Sequence, residues 1–437
     1  MDNIPTSLGS DMHDLLCGLF PICRSITGRG VRETLKIIQG KVPLTTHEVP
    51  SGTRCFDWVV PDEWNINDAY VKDKQGRRVI DFNESNLHVV NYSKPFEGEL
   101  TLEELRERVF THPHLANAIP YVTSYYKRTW GFCMRQSDFD RLGSGPFKAK
   151  IDSTLKPGVL NYGELLIPGE TDQEILLASN ICHPSMANNE LAGPVLLTYL
   201  AKWLLESPSR RYSYRILWLP ETIGAICYLS KHAEQLREQV IAGYQVVCTG
   251  GPGPLAYVQS RNGRALVDRV TTHVLHRFDH QYEIKPFRYR GSDERQWNSP
   301  GIDLPIGMLA KSKFEEYPEY HTSLDDLSFV RAEYLQTSFD AYARCLQALE
   351  RNDYYQMLTP CEPKLDKLGL WNTVGGHTPT HADMTQLLFA LIAYCDGEHD
   401  LIEIADMHDI PVWDFYPLVD QLVKGGILGA SSEPAAA

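Results

Sequence analysis

Residues 174–200 read EILLASNICHPSMANNELAGPVLLTYL, and the rest of the chain is organised around them. The apolar run 175–178 suits a buried strand, and the residues from Pro194 to Leu205 suit a helix packed behind it. Between the two lies a polar turn that carries His183, Asn188, Asn189 and Glu190. In α/β proteins the loops at the carboxyl ends of parallel strands open into the crevice where ligands bind, so this turn is the first place to look for chemistry.

Working outward, the pattern after Gly158 is that of an α/β domain. Expected strands at 163–166, 175–178, 214–219, 245–249 and 304–309 alternate with expected helices near 194–206, 223–239, 263–278 and 331–351. Such alternation implies a mostly parallel sheet flanked by helices. Residues 11–40 have helical spacing. The segment from Pro43 to about Asp152 has short alternating runs broken by Pro, Gly and Asn, as in a small β-rich region, with one short helix at 102–110. After a break near 359–363 and a polar, Gly-containing stretch at 375–380, helices are expected at 384–393, 401–407 and 413–424. A glycine turn and an apolar strand follow, the pattern of a winged helix. The expected domains are therefore 1–60 with 153–360 (α/β), 61–152 (inserted, β-rich) and 361–437 (winged-helix-like).

The chain has 437 residues and a net charge of -14, from 42 Lys and Arg against 56 Asp and Glu. That balance argues against general nucleic-acid affinity, which needs a basic face. No apolar run approaches a membrane span of about 18 residues, and the first residues lack the basic region of an export signal. The 10 cysteines are scattered without a CxxC pair, as expected of reduced thiols in a cytoplasmic protein.

Four islands carry residues suited to catalysis: HPSMANNELAG at 183–193, LPETIG at 219–224, RGSDER at 290–295 and YPEYHTSLD at 317–325. In a parallel sheet all four can converge at one edge. Two imidazoles, His183 and His321, suit zinc, and a free carboxylate, Glu221, suits activation of water. Taken singly, each has a plainer reading: a hydrogen-bonded loop histidine, a helix-capping glutamate, a surface charge cluster at Asp293, Glu294 and Arg295.

In this order the islands resemble the co-catalytic zinc aminopeptidases, a family that includes carboxypeptidase and glutaminyl-cyclase relatives. More closely, the chain resembles a bacterial aminopeptidase-like group with an inserted β-rich domain and a C-terminal winged helix. Stretches such as LFPICRSITGRGVRETL, IPYVTSYYKRTWGFC, ICHPSMAN, PETIGAI, GSDERQW and EYHTSLDDL carry the resemblance, which spans nearly the whole chain. It implies that His183 and His321 bind metal, that Glu221 takes a proton from the attacking water, and that Asn189 stands where the family has a bridging aspartate. The chain departs from the pattern elsewhere. Thr222 replaces a second glutamate, Ser185 replaces an acid, and Cys248 to Gly251 hold no carboxylate. Cys248 offers either a thiolate ligand or a buried structural thiol. A set of His183, Asn189 and His321 is neutral, so the resemblance implies one zinc ion or none rather than two. Asp293 or Glu294 is expected to hold a substrate amine, Arg295 a carboxylate, and Tyr320 to line the pocket.

From His381 onward there are Asp383, Asp396, Glu398, Asp400, Glu403, Asp406, Asp409, Asp414, Asp420 and Glu433 against Lys424 alone. The winged helix is therefore expected to avoid DNA and to serve in packing, peptide docking, covering the active-site mouth or a homo-oligomer interface. Three functions follow as expectations: a zinc-dependent hydrolase of an amide or peptide bond beside a free amino group, a metal-free altered enzyme acting on an amino-acid-like small molecule, or a non-catalytic binding protein.

Overall fold

The fold is taken from a computed structural model of the chain, which describes residues 4–278, 280–365 and 379–431, with side chains omitted at 379–383 and 431. Its contacts divide the described chain into two units, 4–267 with 280–342, and 268–278 with 343–365 and 379–431.

The first unit is built on an eight-stranded mixed sheet. Its order is Thr45–Pro50, Val159–Ile167, Ser213–Leu219, Glu174–Asn180, Val240–Gln245, Ile306–Lys311, Leu255–Val258 and Tyr282–Lys285. The central strands from Ser213–Leu219 to Ile306–Lys311 run parallel, whereas Thr45–Pro50 and Val159–Ile167 add antiparallel at one edge and Leu255–Val258 antiparallel beyond the other side. Every residue of Glu174–Asn180 is buried, as expected of a strand covered on both faces. From this strand the chain passes through the helix Ala192–Glu206 to the strand on one side. It then passes through Ile223–Gln239 to the strand on the other. The carboxyl end of Glu174–Asn180 is thus a topological switch point, where such sheets leave a crevice. The helix sits close: a Cβ on Gly193 would lie 2.3 Å from Val246 O and 2.6 Å from Ser179 Oγ, so only glycine fits there.

The inserted segment forms a four-stranded antiparallel sheet of Arg78–Asp81, Glu63–Lys72, Phe147–Lys156 and Phe96–Leu100. Its Trp64, Phe132, Phe147 and Ile151 lie in one apolar cluster with Leu176, Leu217, Leu219 and Ile223 of the α/β portion. The second unit has a three-stranded sheet of Tyr354–Met357, Asp396–Asp400 and Leu428–Ser431. Around it lie the helices Pro379–Tyr394, Leu401–Met407 and Val412–Lys424. Asp400 caps the second helix reciprocally with Glu403.

Three local expectations are corrected. The helical stretch at 11–40 is two helices, Gly9–Leu19 and Arg29–Gln39, separated where Pro21 and a positive-φ Gly28 interrupt the pattern. The strand expected at 245–249 is Val240–Gln245. Val246 and Val247 are buried beyond the sheet, and Cys248 takes a positive φ, so apolarity there reflects a buried loop. The helix expected at 102–110 ends at Arg106 and gives way to the strand Val109–Phe110. Of the polar stretch at 375–380 only 379 and 380 are described. No described helix is long and apolar enough to cross a membrane.

Candidate active site

Parallel register places the first two islands together. Asn180 pairs with Leu219, and Ile181 N donates to Leu219 O at 2.9 Å, so both strands end side by side. Cys182 and His183 therefore leave their strand beside Glu221, whose N–H donates to Cys182 Sγ at 3.1 Å.

The imidazole of His183 is held on both sides by carboxylates. Its Nδ1 lies 3.0 Å from Glu190 Oε2, and its Nε2 lies 3.6 Å from Glu221 Oε2. Glu190, fully buried, also faces the Arg24 guanidinium, with Nε at 3.8 Å. Arg24 Nε donates to His183 O at 2.9 Å and Nη1 to Leu19 O at 2.9 Å. A buried acid–guanidinium pair thus fixes the backbone and the ring of His183 together. Burial alone disfavours the imidazolium, but the Glu190 charge and hydrogen bond, with Glu221, outweigh it and raise the His183 pKa. Glu221 is raised as well, because burial outweighs the attraction of His183 and Arg295.

The turn that carries Asn188 and Asn189 opens as a π-turn, Ala187–Leu191. Its free N–H groups are satisfied from the fourth island: Asp325 accepts from Asn188 N at 2.6 Å and Asn189 N at 2.9 Å, and Asp325 O accepts from Ala187 N. Burial pushes Asp325 up to about 6 despite those donors. Asn188 spans to Gly250 N and Ser312 O. Asn189 turns its Nδ2 toward Cys248 Sγ at 4.0 Å, and its Oδ1 is buried without a hydrogen-bond partner.

His321 brings its ring within 5.6 Å of the His183 ring, measured between centroids. Burial, then the charge on His183, lowers its pKa to about 3, so it is a neutral imidazole. Tyr320 stacks on it at 3.9 Å. Tyr121, from the inserted segment, packs on both imidazoles at 5.0 and 5.1 Å and shares a 2.8 Å hydrogen bond with Tyr125. Tyr121 N donates to His321 O at 2.8 Å, which ties the insert to the last island.

The third island supports Glu221 from behind. Asp293 Oδ1 accepts from Thr222 N at 2.8 Å, and Arg295 Nη2 donates to Thr222 Oγ1 at 2.7 Å and lies 3.9 Å from Glu221. Thr222 has φ 64°, an unusual conformation for a β-branched residue, held here by both contacts. Asp293 and Glu294 are fully buried; Glu294 accepts from Gly291 N and Ser292 N, within its own loop. Burial raises both carboxyls, Asp293 strongly, with Glu221 adding to each. A cleft of about 460 Å³ is lined by His183, Glu221, Thr222 and Arg295, with Trp58 and Tyr126 at its lip. Of the expected site residues, His183, Glu221 and Arg295 reach this cleft, His321 and Tyr320 flank it, and Asp293, Glu294 and Asn189 lie behind it.

Among the described residues, one group of three metal-binding side chains lies close enough to share an ion: Cys182, His183 and Glu190. Its thiol is held protonated by burial, and the Arg24 cation already pairs with Glu190, so these three form a hydrogen-bonded cluster. Arg24 and Tyr121 lie outside the four islands, and Glu190 and Asp325 lie within them without an expected role. The signals available were a charge inside the largely apolar run at 19–26, and the acid in the turn itself.

Comparison with known proteins agrees with this architecture. The model of a family described as a domain of unknown function (DUF4910) matches residues 13–352, and that of a winged helix-turn-helix family matches 352–430. A Clostridium acetobutylicum protein, provisionally named for polysaccharide biosynthesis and for its aminopeptidase-like domain, is 43% identical over 398 residues, 91% of each chain. The crystal structure of a provisionally named peptidase from the same organism superposes with a TM-score of 0.91 at 40% identity, over 97% of this chain and 96% of that one. The zinc aminopeptidase BSAP of Bacillus subtilis shares the fold at 12% identity, with a TM-score of 0.54 over 79% of this chain and 95% of that one.

Proposed function

Because the chain belongs to the family described as a domain of unknown function (DUF4910), followed by a winged helix-turn-helix, we propose that it hydrolyses an amide or peptide bond next to a free amino group, at a site for at most one metal ion. The observation that carries this reading is the Glu221–His183 pair at 3.6 Å, open to a cleft and backed by Glu190.

His183, His321 and Asn189 would hold at most one cation. His183 presents Nε2 with its other nitrogen on a carboxylate, the usual second partner of a metal-binding histidine. His321 is a neutral ring beside it, and Asn189 Oδ1 is a buried oxygen without a hydrogen-bond partner. No carboxylate stands at 189 or between 248 and 251 to offset the repulsion of a second ion. A bound zinc supplies Lewis-acid polarisation of the scissile carbonyl.

The chain's own residues do the rest. Glu221, its carboxylate raised by burial, accepts the proton of the attacking water and returns it to the leaving amine. Asp293 acts through Thr222 N, keeping Glu221 aimed at the cleft, and Arg295 receives a substrate carboxylate or carbonyl at the rim. A metal-free acid–base reaction on an amino-acid-like molecule is the second reading. It is favoured by the raised pKa of His183, which retains a proton between two carboxylates.

The test is hydrolysis of aminoacyl amides and dipeptides, extended to amides of amino sugars because of the relative named for polysaccharide biosynthesis. Turnover that disappears in Glu221→Gln supports the reading. Full turnover in that variant, or substrate binding without turnover in the unaltered chain, contradicts it.

A further inference from the structure

The wall of the catalytic cleft has a second side. Cys182 and His183 line the smaller cleft, and Ser185, two residues on, lines a larger one of about 840 Å³. This larger cleft lies between the segment 20–33, the inserted sheet and the loop 323–326. Its floor is built rather than incidental. Asn86 Oδ1 accepts from Ser185 N at 3.1 Å while its Nδ2 donates to Ser185 Oγ at 2.7 Å. Asn65 Oδ1 accepts from Arg29 N at 2.7 Å and its Nδ2 donates to Glu63 at 2.9 Å. Above these fixed amides stand the exposed side chains of Asn67, Asn117 and Glu84.

The chemistry of the lining narrows the ligand. The cations Arg29 and Arg135 are outnumbered by Glu33, Glu84 and Asp326, so the cleft has no excess of positive charge to hold a phosphate or a nucleic acid. Arg29 already donates to Ile66 O at 2.9 Å, and Arg135 to Asn117 O at 3.1 Å. None of its carboxylates belongs to a group close enough to share a metal ion among the described residues. What remains is a groove of amides and carboxylates with one excess negative charge, whose lining offers donors and acceptors together, with Phe20 and Phe82 as half-buried ring surface.

We propose that this cleft binds a neutral, polyhydroxylated ligand, a short saccharide. Hydroxyls are at once donors and acceptors and match such a mixed lining. Its size is in the range of small-ligand pockets, roughly 300–1,000 Å³. The proposal is independent of the reaction assigned to the smaller cleft.

The test is isothermal titration of the full chain with cellobiose, maltotriose and N,N′-diacetylchitobiose, and separately with inorganic phosphate. Saturable binding of at least one saccharide with a Kd of about 1 mM or tighter is expected. The double variant Asn67→Ala/Asn117→Ala should weaken it about tenfold, the effect of lost hydrogen bonds, and Asn117→Trp should block it by filling the groove. Glu221→Gln, on the other side of the wall, should leave it unchanged. Both rim positions are exposed, and an unaltered Tm confirms that the variants fold. No saturable binding of any of the three saccharides, phosphate binding in their place, or saccharide binding that is indifferent to the rim variants overturns the proposal.

Discussion

His183 Nδ1 lies 3.0 Å from Glu190 Oε2, and the same carboxylate faces the buried Arg24 guanidinium 3.8 Å away. One glutamate therefore sets the tautomer of His183 and neutralises a cation that has no access to water. The two tasks separate by substitution. Glu190→Gln keeps a hydrogen-bonding side chain but removes the charge that raises His183. The expected result is a lower His183 pKa by NMR titration and a loss of about 10–100-fold in turnover or metal affinity. Glu190→Leu also strands Arg24, and should cost about 3–5 kcal/mol in chemical denaturation.

Glu221→Gln tests the proposed base. Its carboxylate opens to the cleft, and Glu190 remains as the second partner of His183, so the variant should melt within a few degrees of the unaltered chain. Turnover should fall by about 10²–10⁴-fold.

Asp325 is placed to hold the π-turn, with its carboxylate on two N–H groups and on the Tyr317 hydroxyl at 3.1 Å. Asp325→Ala leaves those buried donors unmet. A loss of about 1–3 kcal/mol per unsatisfied group is expected. Faster amide exchange at Asn188 and Asn189 should accompany it, measured by hydrogen exchange with mass spectrometry.

Glu63 predicts acid sensitivity. Burial opposes its ionisation, but Arg32 at 2.7 Å, Asn65 and Val159 N overcome that and lower its pKa to about 2. The sign follows: an acid with a depressed folded pKa contributes stability above the unfolded value near 4.5, and loses it as pH falls toward 2. Allowing for solvent screening, the loss should be about 1–2 kcal/mol. Glu63→Gln should flatten this part of the stability–pH curve measured by thermal melting.

The convergence of four islands was legible because parallel strands deliver their carboxyl ends to one edge, and each island follows or faces such an end. What was not legible acts across sequence distance. Asp325 lies in a quoted motif, yet its capping role depends on an N–H group 137 residues away. Arg24 sits in an apolar stretch with no local hint that its partner is Glu190. Tyr121 comes from the insert, whose own alternation says nothing of the His321 loop it pairs with. The misplaced strand at 245–249 shows the same limit, since a buried loop and a buried strand present the same apolar residues.

The most direct test of the one-metal account is the zinc content of the full chain, purified without added metal or chelator and read by elemental mass spectrometry. His183→Ala and Asn189→Asp should be purified and measured in parallel. The account predicts about one zinc per chain, lost in His183→Ala, with tighter retention in Asn189→Asp because a carboxylate adds charge to a neutral set. Two zinc ions in the unaltered chain, none in it, or one that persists in His183→Ala would contradict it.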